Sequence, residues 1–207
     1  ASDGQRVTLN EYFRQHTTAF LDVLSGLFYL NWVPVPLLFG FWLLQNNKPL
    51  FVRFSYGFLF TNLLGFFIYY LYPAAPPWYV EQYGFEIRNS TPGNPAGLLN
   101  FDAFFGIRLF AEMYKKSANV FAAIPSLHSA YPVLCLLYGW RLQKKWLNVL
   151  FTIFVAGIWF AAVYTRHHYV IDVLAGGIVA VAGYMLFEYL SARAPLKKGF
   201  EALLKRI

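Results

Sequence analysis

The sequence predicts an all-α fold, a polytopic transmembrane bundle of five to six helices that forms one domain over residues 1–207. Of the 207 residues, 58% are hydrophobic and only 13% are charged, whereas soluble domains carry about 25% charged residues. Five apolar runs approach the roughly 20 residues that a helix needs to cross a bilayer. The period-two alternation that is typical of half-buried strands is absent. Lipid is therefore the expected solvent for much of the surface.

The five apolar runs are separated by charged or turn-forming residues. They cover residues 20–44, 54–71, 125–140, 146–164 and 169–190. Pro34 and Pro36 remove backbone donors within the first run, so we expect either a kinked span or two short helices there. This choice leaves the helix count at five or six.

The long segment 73–124 joins the second run to the third. It begins with the prolines of YPAAPPWY, which stop the second span, and it contains LLNFDAFFGIRLFAEMYKK. The spacing of apolar residues in this stretch predicts one amphipathic helix. Such a helix lies on the membrane surface or, equally well, packs on the protein as a lid.

Basic residues in the short connections predict the orientation. Lys48, Arg53, Arg141 and Lys144 share one side with the basic tail 191–207, which is expected to be cytoplasmic. The segment 73–124 is then non-cytoplasmic. The net charge of +7 is not concentrated on a polar helix or a stacking platform, so we expect a membrane and no nucleic acid as partner. The single cysteine, Cys135, excludes a disulfide within the chain.

Two segments carry residues suited to catalysis at the same predicted side of the membrane. PSLHS begins the third run and TRHHYVIDVLAG begins the fifth. His168 and Asp172 are four residues apart, which places them on one face of a helix. A carboxylate hydrogen-bonded to one imidazole nitrogen leaves the other nitrogen unprotonated and able to act as a nucleophile. His128 can then protonate the leaving oxygen.

A transferred phosphoryl group also needs donors for its oxygens. Ser126 and backbone amides beside it are candidates, and Arg166 is the first candidate cation. Lys115, Lys116, Arg88 and Arg108 are weaker candidates on the same side. The remaining histidines, His16 and His167, are interpreted as capping or interfacial residues. A metal site built from these histidines and Asp172 is disfavoured, because adjacent histidines point in different directions on a helix.

At these residues the sequence resembles the type 2 phosphatidic acid phosphatase superfamily, whose members carry PSGH and a later SRxxxxxHxxxD on a six-helix core. The resemblance covers roughly residues 17–190, and the first motif reads PSLH here. Leu127 replaces the glycine, Ala162 stands where the phosphatases have arginine, and the motif KxxxxxxRP is missing. YPAAPPWY, ANVFAAIPSLHSAYP and HHYVIDVLAG are similar to the branch of inositol phosphorylceramide synthases and their bacterial relatives.

The resemblance implies a metal-independent phosphotransferase without a cofactor, in which His168 forms a phosphohistidine, Asp172 is its partner and His128 is the general acid. It implies transfer of a phosphoinositol-like group from a phospholipid donor to a lipid alcohol such as ceramide. A bacterial inner membrane, with the site facing the periplasm or exterior, is the implied location. A lipid phosphate phosphatase, acting on phosphatidic acid or polyprenyl pyrophosphate with water as acceptor, is the alternative. A non-catalytic transporter or scaffold is more distant, and the oligomeric state stays open.

Overall fold

The computed structural model describes residues 7–88, 90–116 and 119–204, and within them the fold is helical throughout. An isolated parallel bridge joins Ala74 to Ala122, and no strand is present in these residues. The helices are α1 (Leu9–Gln15), α2 (Ala19–Leu30), α3 (Pro34–Asn46), α4 (Lys48–Leu71), α5 (Pro77–Tyr83), α6 (Leu99–Phe105), α7 (Leu109–Tyr114), α8 (Leu127–Trp140), α9 (Lys145–Tyr164), α10 (Val170–Ser191) and α11 (Ala194–Leu204).

Three of the described helices, α4, α9 and α10, are long and apolar enough to cross a membrane. Helices α2 and α3 together form a fourth candidate span that is bent by 41°. The bend falls where α3 begins at Pro34, a residue that starts a helix well but cannot donate to the preceding turn. The first apolar run is thus two short helices. The chain is an integral membrane protein whose described residues contain three or four candidate spans, and the predicted five to six helices are not confirmed.

Helix α8, the predicted third span, lies at the centre of the bundle. It packs against α3, α4, α9 and α10, and Ala130, Leu134 and Cys135 are fully buried along it. Its 14 residues extend only about 21 Å, less than the roughly 30 Å of a bilayer core. The neighbouring helices therefore provide most of its surroundings.

The prediction of one continuous amphipathic helix from residue 98 onward is wrong. Helices α6 and α7 are separated at Gly106, whose φ of 64° is left-handed and ends α6. The Asp102 carboxylate accepts hydrogen bonds from the backbone N–H groups of Phe110 and Ala111, so it caps α7 from the preceding helix. Phe101 and Phe110 are buried, and α6 packs against α2. The segment is thus attached to the protein through one face.

Candidate active site

The first turns of α8 and α10 meet at one end of the bundle. The backbone N–H of Ser126 donates to the carbonyl oxygen of Asp172 at 2.9 Å. The approach requires glycine at position 176, because a Cβ there would lie 2.1 Å from the carbonyl oxygen of Ser126. The two motif segments, 40 residues apart, are consequently held together by backbone contacts.

The ring of His168 is buried, and its tautomer follows from its neighbours. Nδ1 lies 2.9 Å from the carbonyl oxygen of Ala123, which can only accept, so Nδ1 carries the proton. Nε2 keeps its lone pair and lies 3.3 Å from Nδ1 of His128. This arrangement leaves an unprotonated nitrogen ready to act as a nucleophile.

The carboxylate of Asp172 does not make the hydrogen bond that the sequence suggested. Its Oδ2 lies 3.6 Å from Nδ1 of His168, beyond hydrogen-bond distance, and accepts instead from the backbone N–H of Tyr169 at 2.9 Å. The Ala123 carbonyl takes over the orienting contact. Asp172 caps α10 and places a negative charge beside the ring, where it would stabilise a cationic His168.

Asn10, a residue that sequence reasoning missed, fixes the backbone under His168. Its side-chain amide is buried in α1 and donates to the carbonyl oxygens of Val163 and His168 at 2.9 and 3.0 Å. The N–H of His168 donates to the carbonyl of Ala162 at 3.0 Å. Both backbone groups of His168 are therefore engaged. No motif marks Asn10, because its partners are backbone atoms more than 150 residues away.

His128 lies in the first turn of α8 against an aromatic wall. Its ring centroid is 4.5 Å from that of Trp32 and 5.0 Å from that of Tyr29. The Tyr29 hydroxyl lies 3.4 Å from Nδ1 of His128. His128, His167 and His168 line one cavity of about 310 Å³, together with tyrosines, tryptophans, amides and small residues. The cavity is large enough for a phosphorylated headgroup.

Residues 6–186 match the PAP2 superfamily. The chain belongs to this superfamily. A phosphoinositol dihydroceramide synthase of Bacteroides thetaiotaomicron is 50% identical over 189 residues, which are 90% of this chain and 62% of that protein. The inositol phosphorylceramide synthase catalytic subunit AUR1 of Saccharomyces cerevisiae is 32% identical over 188 residues, or 87% of this chain and 45% of the yeast protein. The chain spans less than two thirds of these relatives, and no solved structure matches it.

Ala162 stands at the position where the phosphatases of the superfamily have arginine, and it is fully buried. The predicted substitute cation, Arg166, lies in a turn with φ of 64°. Its guanidinium donates to Glu81 at 2.8 Å and is not among the groups that line the cavity. The structure thus places Arg166 in an ion pair beside the site and not in the cavity.

The other predicted phosphate ligands of this PAP2 member also lie outside the cavity lining. The Ser126 hydroxyl is fully buried and caps α8, where it accepts from the N–H and the hydroxyl of Ser129. Lys115 pairs with Glu112 at 2.7 Å, and Lys116 is exposed. The weaker candidates Arg88 and Arg108 form exposed ion pairs with Glu86 and Glu112. No cluster of three or more His, Cys, Asp or Glu side chains suited to a metal ion occurs in the described ranges.

Proposed function

We propose that this chain is the catalytic region of a lipid headgroup phosphotransferase, which moves a phosphoinositol-like group from a phospholipid to a lipid alcohol such as ceramide. The observation that carries the proposal is the His168 ring, whose Nδ1 is held by Ala123 while Nε2 faces His128 at 3.3 Å. A nucleophile and a proton donor thereby share one cavity. The names of the relatives, a phosphoinositol dihydroceramide synthase and inositol phosphorylceramide synthases, support the choice of substrates.

The reaction has two displacements at phosphorus. Nε2 of His168 attacks, the bond from phosphorus to the diacylglycerol oxygen breaks, and His128, which is protonated beside the bound phosphate anion, gives its proton to that oxygen. The headgroup stays on His168 as a phosphohistidine, and Asp172 stabilises the charge on the ring. The hydroxyl of the lipid alcohol then attacks phosphorus, loses its proton to His128, and the phosphorus–nitrogen bond breaks. The substrate phosphate must separate the two rings to react, because their nitrogens lie 3.3 Å apart.

An apolar groove beside the cavity supports lipid substrates. The groove lies between α3 and α4, has a volume of about 400 Å³, and is lined by aromatic and aliphatic side chains with one serine. Trp32 and Tyr131 line both the groove and the histidine cavity. A lipid can therefore place its acyl chain in the groove while its phosphate reaches His128.

The lining of the cavity favours a phosphodiester over a phosphomonoester. The described residues around it are histidines, aromatic residues, amides and small residues, with no lysine or arginine among them. A phosphodiester carries one negative charge, whereas a monoester approaches two near neutral pH. Because the cost of desolvating an anion grows with its charge, this cavity suits the diester that a headgroup transferase uses.

We further propose the bacterial inner membrane as the location, with the histidine cavity facing the periplasm. Lys48, Arg53 and Arg141 lie at or near the opposite helix ends from His128, as expected for a cytoplasmic side. In this arrangement α8 crosses most of the membrane inside the bundle. It is then the fifth crossing segment, beside α4, α9, α10 and the bent pair of α2 and α3. Cysteine accessibility at Lys116 and Lys145 in intact cells tests the orientation, since only the former should react with an impermeant reagent.

A liposome assay tests the reaction. The purified chain is placed in liposomes with phosphatidylinositol, with and without ceramide, and in separate liposomes with phosphatidic acid. We expect a new phosphodiester lipid that forms only when both phosphatidylinositol and ceramide are present. Release of free phosphate from phosphatidic acid, without any ceramide-dependent product, would establish a phosphatase instead. Absence of both reactions would favour a transporter or scaffold.

A further inference from the structure

His167 is a third histidine in the cavity, and the reaction above does not use it. Its side chain is buried, with only 5% of the residue exposed. Nδ1 lies 2.9 Å from the Thr165 hydroxyl, whereas Nε2 is buried and has no hydrogen-bond partner among the described residues. Most buried polar atoms in proteins are hydrogen-bonded. Because His167 lines the cavity, this nitrogen is a candidate to accept a hydrogen bond from a bound ligand.

The contacts of Thr165 determine what Nε2 of His167 can bind. The Thr165 hydroxyl donates to the carbonyl oxygen of Ala161 at 2.7 Å, so its oxygen accepts from Nδ1–H of His167. Burial and the charges of His168 and His128 hold the pKa of His167 well below its usual value, although the backbone carbonyl of Asn94, which would accept a hydrogen bond from a cationic ring, opposes the shift. The ring is neutral, and Nε2 presents a lone pair. Its natural partner is an O–H donor.

A row of aromatic contacts shows which part of a substrate reaches His167. Each ring in the row touches the next, with centroids 4.5–5.6 Å apart. The order is Tyr131, Trp32, His128, Tyr29, His167 and Tyr114. The apolar groove borders the first two rings, so His128, the proposed proton donor, lies between the groove and His167 in this row. With the lipid tail in the groove and phosphorus at His128, the substituent on the far side of phosphorus is the headgroup.

We propose that Nε2 of His167 accepts a hydrogen bond from a hydroxyl of the polyol headgroup and so selects a hydroxyl-rich donor lipid. The inference rests on the proposed function for the identity of the donor. It assigns a specificity role to a residue next to the nucleophile, and it supplies the partner that Nε2 lacks. The Nδ1 contact with Thr165 fixes the tautomer and the orientation of the ring.

A binding experiment that needs no turnover tests this role. Calorimetry on the detergent-solubilised full chain compares inositol 1-phosphate with inorganic phosphate, for the wild type and for two variants. His167→Phe keeps a ring between Tyr29 and Tyr114 but has no nitrogen, and His167→Gln keeps an acceptor near the position of Nε2. We expect the wild type to bind inositol 1-phosphate about tenfold more tightly than phosphate. His167→Phe should lose this preference with unchanged phosphate affinity, and His167→Gln should retain most of it.

Several outcomes would overturn the assignment. One is equal affinity of the wild type for the two ligands, and another is a preference for inositol 1-phosphate that survives in His167→Phe. A third is loss of affinity for both ligands in His167→Phe, which would indicate only a structural role. If the hydroxyl belongs to the acceptor lipid, His167→Phe will raise the KM for short-chain ceramide and leave inositol 1-phosphate binding unchanged. A wild type that prefers inositol 1-phosphate but makes no ceramide-dependent product would contradict the proposed reaction and leave the His167 site standing.

Discussion

The two ends of the helical bundle use charged and polar groups in opposite ways. At one end, the Glu188 carboxylate accepts from Arg53 at 2.6 Å, from Arg141 at 2.8 Å and from the Tyr138 hydroxyl at 3.2 Å. At the other end, Nε2 of His168 faces another imidazole and Nε2 of His167 has no partner in the described structure. Both clusters join distant helices. Only the second leaves hydrogen-bonding capacity directed at a cavity.

This difference separates a structural cluster from a functional one. Removing one member of a paired cluster is destabilising, because it leaves a charge without a partner. Unpaired groups reduce stability, and proteins retain them where a ligand supplies the missing atom. We therefore expect substitutions at the Glu188 end to lower stability with little loss of activity, and substitutions at the histidine end to do the reverse.

The largest expected effect is on turnover at the histidine end. His168→Ala removes the attacking nitrogen and His128→Ala the proton donor, so each should lower the rate of ceramide-dependent transfer by about 10³-fold or more. Each variant should remain folded, because the backbone hydrogen bond between Ser126 and Asp172, which joins α8 to α10, involves neither ring. His16→Ala, which alters an exposed histidine bonded to the carbonyl of Tyr12, is the matched control and should transfer at the wild-type rate. Turnover of either site variant within about tenfold of the wild type would contradict the mechanism.

The second-largest effect is expected at the Glu188 end of the bundle, where a substitution should lower stability. Glu188→Gln leaves Arg53 and Arg141 facing each other without a counter-charge, which should lower the free energy of unfolding by about 1–3 kcal/mol. The cluster is partly exposed, which places the effect toward the lower part of that range. Thermal unfolding in detergent measures it, with Glu201→Gln at an exposed ion pair as the neutral control. Loss of transfer activity in folded Glu188→Gln would show that the two ends are coupled after all.

Sequence patterns predicted the parts of the molecule that depend on near neighbours. Continuous apolar runs identified α4, α9 and α10, because hydropathy acts along a single helix. The contacts that shape the site could not be inferred from one sequence, since they join residues far apart. Arg166 pairs with Glu81, 85 residues away, and His168 is oriented by a backbone carbonyl of Ala123, an atom that every residue has. The sequence indicates only a helix-end residue at His167. Its burial depends on rings from two other helices, which a single sequence does not reveal.

The smallest effect, and the one that best refines the contrast between the two ends, is expected at Asn10. Asn10→Ala removes the two hydrogen bonds that hold the carbonyls of Val163 and His168, so the nucleophile loses part of its positioning while its chemistry is intact. We expect kcat to fall about tenfold with an unchanged KM, because small displacements of a reacting group are costly. Asn46→Ala, which removes a similar bond to the carbonyl of Trp42 on an exposed helix face, should leave kcat unchanged. A rise in KM alone would mean that Asn10 supports the substrate cavity and not the attacking ring.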